Sequence, residues 1–145
     1  MLYYSELNLI FPEIIIFLSG LFLLIYGVFS RNNSAIKVNF LTLFFLFITL
    51  FSVFLVDVNT AAFNGSFINT KLTKFIKIIV LIIAIIAVYI SKNYLDKNHL
   101  DKFEYPVLFI FSLLGMLVMI SSNDLIMLYI SLELQSLSLY VLVAL

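Results

Sequence analysis

Asn123-Asp-Leu-Ile-Met-Leu-Tyr-Ile-Ser-Leu-Glu-Leu-Gln-Ser-Leu-Ser-Leu-Tyr-Val-Leu-Val-Ala-Leu145 is the stretch that decides the fold. It is apolar over a length that crosses a bilayer, and one carboxylate, Glu133, lies inside it. At about 1.5 Å per residue, Glu133 falls roughly 12–15 Å from the helix start, near the middle of an ~30 Å hydrocarbon core. An acid at that depth costs on the order of 2.5–3.5 kcal/mol even on mild insertion scales. A chain that carries one has a partner for it or a proton to move through it.

Positions 129, 133, 136 and 140 follow helical spacing, so Tyr129, Glu133, Ser136 and Tyr140 form a polar stripe on one face. Gln135 and Ser138 widen the polar zone, while Ser131 lies off it. Facing lipid, such a stripe would be costly, so protein or water should cover it. Glu133 reads in two ways. As a neutral acid it is glue between helices. As a proton carrier it works with a nearby lysine, because burial favours the neutral acid and a cation favours the carboxylate.

The rest of the chain has the same character. Of 145 residues, 64% are hydrophobic and 11% charged, far from the balance of a soluble domain. The formal net charge is zero, which gives no case for nucleic acid as a partner. Cysteine is absent, so cysteine-held iron–sulfur clusters and zinc are excluded within this chain. The one histidine, His99, sits in a polar loop, which excludes a haem held by paired histidines. No glycine-rich nucleotide motif is present. No cofactor is therefore expected in this chain, and membrane lipids are its expected surroundings.

Five spans are predicted: 11–29, 38–56, 75–90, 106–120 and 125–145. The expected fold is an all-α integral membrane bundle, one membrane domain over residues 1–145. Pro12 suits the first turn of a helix, and Glu13 the positive end of its dipole. Asp57–Thr73 is the longest polar stretch, with a turn signal at Asn64-Gly65. Lys74 and Lys77 lie at the mouth of the third span and read as interfacial anchors that snorkel to water. That leaves no lysine of this chain at the depth of Glu133, so a partner must come from elsewhere. Ser121-Ser-Asn-Asp124 is a tight turn whose Asn123 or Asp124 can cap the fifth helix, making spans four and five antiparallel neighbours. Ser19, Gly20, Gly27, Ser112 and Gly115 read as close helix contacts, and Met116 and Met119 as packing. Asn32-Asn-Ser34 and Asn64-Gly-Ser66 match glycosylation acceptors only formally.

Arg31, Lys37, Lys92, Lys97 and Lys102 occupy one set of loops, and Lys71, Lys74 and Lys77 the other. This bias puts residues 30–37 and 91–104 on the negative side. Met1–Phe11 has no basic region and carries Glu6, so neither a signal nor a transit peptide is expected. Phe (16), Tyr (8), Ile, Leu, Asn and Lys abound while Trp is missing. Those residues have A/T-rich codons, which fits a mitochondrial or endosymbiont genome.

Phe103-Glu-Tyr-Pro-Val-Leu, Leu114-Gly-Met-Leu-Val-Met-Ile-Ser-Ser-Asn-Asp-Leu-Ile and above all Leu132-Glu-Leu-Gln-Ser-Leu-Ser-Leu-Tyr-Val-Leu resemble the antiporter-like subunit 2, the N subunit in bacteria, of respiratory complex I. Phe11-Pro-Glu-Ile-Ile also looks like the first helix of this family. The resemblance implies the first part of an antiporter-like bundle in the membrane arm of NADH:ubiquinone oxidoreductase, coupled to proton translocation. It implies that Glu133 pairs with a lysine on a broken seventh helix. It also implies that NADH, flavin, iron–sulfur clusters and quinone are bound by other subunits.

Family members continue with further helices in inverted repeats, which this chain lacks. A fragment or a subunit made as two polypeptides would explain this. The expectation is a split gene, a separate chain carrying the remaining helices, other membrane-arm subunits as partners, and a mitochondrial inner membrane, with a bacterial inner membrane as the alternative. A related cation/proton antiporter or membrane-hydrogenase subunit stays open. So does a structural or assembly protein in which Glu133 is glue.

Overall fold

The computed structural model describes residues 2–30, 34–97 and 102–145. The polar loop with His99 and Asp101, together with Arg31 and the first two residues of Asn32-Asn-Ser34, lies outside them. Among the described residues five helices are long and apolar enough to cross a membrane. They are α1 (Leu2–Phe29), α2 (Ser34–Leu55), α3 (Lys71–Lys97), α4 (Glu104–Ser121) and α5 (Leu125–Ala144). Inside lipid only a helix satisfies every backbone N–H and C=O within one segment, and the apolar runs supply the length. Most large apolar side chains point outward, as a lipid-facing surface requires.

α1 begins well before residue 11, so Pro12 is inside the helix and not in its first turn. Glu13 is correspondingly a mid-helix residue and takes no part in capping. Pro12 has no N–H for the carbonyl of Asn8, one turn back. The stretch after α2 is not a featureless loop. Thr60–Ala62 (β1) and Phe67–Asn69 (β2) pair antiparallel, Thr60 opposite Asn69 and Ala62 opposite Phe67. The predicted turn at Asn64-Gly65 is present, with positive φ at Phe63, Asn64 and Gly65. Two strands of three residues have no stability of their own. This hairpin is fastened from outside. Phe67 bridges to Ser122, and the Asn123 amide donates to the Gly65 carbonyl at 2.9 Å.

The hairpin lies at the end of the bundle where α1, α3 and α5 begin and α2 and α4 finish. α1 packs on α2 and α4, and α3 packs on the same two helices, which leaves α1 and α3 across the diagonal. The core between them is aliphatic, with Ile16, Leu23, Val38, Leu46, Val53, Leu81, Val88, Ile110, Leu113 and Leu117. Leu9, Ala62 and Phe67 form a second, smaller cluster beneath the hairpin, flanked by Ile10 and Met127.

Small residues set the spacing, as their sequence positions predict. Gly20 faces Ile110 and Phe111, and Gly27 faces the ring of Phe103. Gly115 is the tightest approach to a backbone. A Cβ there would sit 2.8 Å from the Gln135 nitrogen and 2.9 Å from the Ser131 oxygen. Both are main-chain atoms that cannot swing aside. Replacing Gly115 by valine should therefore force α5 away from α4 and cost about 1–3 kcal/mol. Lowered thermal stability of the detergent-solubilised protein, larger for valine than for alanine, is the check.

α5 packs chiefly on α4, and the short turn makes them antiparallel as expected. Neither expected side-chain cap is made. Asp124 occupies the cap position without a side-chain bond, and Asn123 is engaged by the hairpin.

Lys74 donates to the carbonyls of Phe54 and Val56, closing the C-terminal end of α2. Lys77 does not reach the interface at all, so the end bearing the hairpin keeps Lys71 and Lys74 alone from its expected three cations. The asymmetry in favour of the opposite end is thereby sharper. Single cysteines at Lys102 and Asn64 should label from opposite sides, Lys102→Cys from the negative one. Labelling of both from one side would refute the arrangement.

Candidate functional site

Glu133 is eight residues into α5, about 12 Å from its start. Its side chain is exposed on a face that no other helix covers among the described residues. Tyr129, one turn earlier and also exposed, donates its hydroxyl to Glu133 Oε1 at 3.0 Å. This is the contact helical spacing predicts. The other stripe residues do not reach the carboxylate. The Ser136 hydroxyl donates to the main-chain carbonyls of Leu132 and Glu133, and Tyr140 stands exposed one turn further on. Ser131 and Ser138 are the buried residues of α5, turned toward α4 with their hydroxyls on their own helix's carbonyls. The polar stripe and the packed face are thus different sides of one helix.

A second ionisable group pair lies inside the bundle, where snorkelling was expected. Lys77 is 2% exposed and Glu13 3%. Lys77 Nζ donates to Glu13 Oε1 at 2.6 Å, spanning the diagonal between α3 and α1. The ammonium also lies 5.0 Å from the centroid of the Phe67 ring, at a distance where a cation is attracted to a π face. Glu13 Oε2 is buried and has no hydrogen-bond partner among the described residues.

The two polar sites share a depth. Lys77 is six residues past Lys71 and Glu13 seven past Glu6, so both sit about 9–10 Å in from the hairpin end. The helix pairings agree. Gly20 against Ile110 and Phe111, and Gly27 against Phe103, set α1 antiparallel to α4 with Glu13 level with Leu117. Gly115 against Ser131 and Gln135 sets Leu117 level with Ser131. Glu133 is then about two residues, or ~3 Å, further in than Glu13. α4 stands between them with an apolar layer.

The pair at 13 and 77 is the functional feature that span-by-span reading misses. A lysine one turn inside an apolar run looks the same whether it snorkels or turns inward. The signal that separates the cases is a carboxylate at equal depth on another helix, counted from the same end.

No family model matches the chain. Curated relatives match nearly all of it. NADH-quinone oxidoreductase subunit N of Pelagibacter ubique (strain HTCC1062) is 46% identical over 140 residues, 95% of this chain and 30% of that protein. Subunit N of Paramagnetospirillum magneticum is 43% identical over 136 residues, 93% of this chain and 28% of that protein. The Rhodobacter capsulatus protein of the same name is 34% identical over 145 residues, 97% and 30%. The resemblance therefore extends well beyond residues 103–145, and the chain spans about three-tenths of the length of the curated relatives it matches. These relatives are bacterial, and the mitochondrial expectation finds no support in them.

Proposed function

We propose that this subunit N-like chain supplies the first five helices of a membrane-arm subunit of NADH-quinone oxidoreductase, and that Glu133 is the ionisable group through which these helices take part in proton translocation. The observation that carries this reading is the position of Glu133. It lies deep in an apolar helix on the uncovered face of α5, with Tyr129 as its one side-chain partner among the described residues. A carboxylate in that place needs a covering surface that can hold its charge or its proton. The relatives are more than three times as long, which leaves ample chain for that surface.

In this reading the helices that follow these five in such a subunit bring a lysine near the bilayer midplane. The lysine ammonium holds Glu133 ionised. When the lysine loses its proton or moves away, that hold is released. Tyr129 orients the carboxylate, while Ser136 and Tyr140 keep the stripe polar beside it. NADH, flavin, iron–sulfur clusters and quinone belong to other subunits. The membrane is a bacterial inner membrane, the relatives being bacterial proteins.

Affinity purification of the chain from mild detergent tests the assembly. Membrane-arm subunits and NADH dehydrogenase activity should come with it. A stable isolated chain, absent from any particle of respiratory size, would refute the reading. Co-purification with an antiporter or a membrane hydrogenase instead would transfer Glu133 to that chemistry.

A further inference from the structure

We propose that Glu13 and Lys77 form a second proton-exchanging pair, independent of Glu133 and served by water on the hairpin side. Three observations converge on it. The two charges are buried and joined at 2.6 Å, close enough for a proton to pass directly. One carboxylate oxygen, Oε2, is left without a partner although it is fully enclosed. Leaving a buried acceptor in that state is costly, more so if it is charged, so a purely structural ion pair would have been better built with it satisfied. Finally, a cleft of about 380 Å³ opens between α1, α2 and the hairpin, lined in part by Asn8, Leu9, Ser52, Asp57 and Thr60.

Neither Glu13 nor Lys77 lines the cleft, and buried Leu9 is the lining residue nearest to Glu13 on its face of α1. Leu9 lines it one turn above Glu13, and Asn8 is the residue whose carbonyl Pro12 cannot bond. Its polar wall is roomy enough for several waters.

Among the described residues, the groups that face the pair are few. From α3 come Lys77 itself and Lys74, the latter already engaged by two carbonyls of the α2 end. From α2 the titratable neighbour is Asp57, just past the helix and exposed at the cleft. α1 adds Glu6, seven residues before Glu13 at the hairpin end. The hairpin brings Phe67 and Asn69 but nothing that titrates. α4 places only Ser121 at this end, and its own Glu104 and Tyr105 are at the other. Tyr129 and Glu133 lie beyond α4.

The step is a simple transfer. The Nζ–H bond of Lys77 breaks, Nζ keeps the electron pair, and the proton bonds to a carboxylate oxygen of Glu13. An ion pair becomes a neutral amine beside a neutral acid. The acid gives its proton to cleft water, and uptake of a proton from water by the amine restores the starting pair. Loss of charge also removes the cation from the Phe67 face, so exchange loosens the contact between hairpin and α3.

Infrared spectroscopy of the full chain with its native partners in sealed vesicles tests this, using 13C-carboxyl glutamate while pH is stepped from about 5 to about 9. A carboxylic-acid C=O band should change with pH and shift on transfer to D2O. It should be lost in Glu13→Gln and kept in Glu133→Gln. Should Glu13→Gln fail to assemble, Glu13→Asp assigns the band by moving its position. Lys77→Arg keeps the positive charge and can satisfy both carboxylate oxygens, but arginine does not release its proton. The ion pair should survive in that variant and the titrating band should vanish. No titrating band in the wild-type protein, no response to D2O, or an unchanged titration in Lys77→Arg would each overturn the proposal. Because the readout is a bond vibration, it is unaffected if the respiratory assignment fails.

Discussion

Glutamine in place of Glu133 should lower coupled turnover of the assembled complex at least tenfold, equivalent to about 1.4 kcal/mol on the limiting step. Assembly should be nearly normal. Glutamine keeps the length and shape of the side chain and its carbonyl still accepts the Tyr129 hydroxyl. What disappears is the negative charge that biases a facing lysine toward its protonated form. At about 4 Å and an effective dielectric near 20 that bias amounts to ~4 kcal/mol, ample for the expected loss. Glu133→Asp retains the charge but withdraws it by one methylene, so its effect should be milder. Tyr129→Phe removes only an orienting hydrogen bond and should cost less still. The measurements are the amount of assembled complex, quinone-dependent NADH oxidation, and protons moved per electron in sealed vesicles. Full turnover with unchanged proton stoichiometry in the glutamine variant would make the carboxylate structural.

Breaking the buried pair should act in the opposite sense, on stability before activity. Removing one partner leaves a charge or an unpaired acid in the bundle centre, at about 3–5 kcal/mol. Lys77→Met should therefore sharply reduce the steady-state amount of the protein in the membrane. Glu13→Gln should also reduce it, but less, since the amide still accepts from the ammonium. The double variant Glu13→Leu/Lys77→Met fills the same space with apolar groups and should recover much of what Lys77→Met loses, because paired removal is often neutral. Thermal denaturation of the solubilised complex, with the four proteins compared as a double-mutant cycle, measures the coupling. Additive losses would mean that the two residues do not meet in the membrane.

Much of the architecture is legible in composition and spacing. Five apolar runs yield five helices, and Ser121–Asp124 is too short to do anything but return the chain beside itself. Gly115 reads correctly as a contact because no side chain fits against the α5 backbone there. The Tyr129–Glu133 contact follows from helical spacing alone.

Other elements were hidden for physical reasons. The hairpin strands are three residues each, too brief for alternation to show, and they hold only because Asn123, Ser122 and the small cluster around Phe67 fasten them. Pro12 and Glu13 look like the opening of a helix, yet α1 begins well before them. Tertiary packing carries the helix through them. Lys77 looks like an interfacial anchor because its partner is 64 positions away. A rule that scores each span alone has no means of matching depths between spans.

That separation bears on how the protein is made. The chain emerges from the ribosome at about 5–20 residues per second, so roughly 3–13 s pass between the appearance of Glu13 and that of Lys77. During that interval α1 must enter the insertion machinery with an acid whose buried partner has not yet been made. Neutralised by a proton, or sheltered by a membrane chaperone, the first helix has to wait for the third. The step that commits the nascent chain is therefore the arrival of α3, and ribosome stalling between residues 13 and 77 should leave a chain that is quickly degraded.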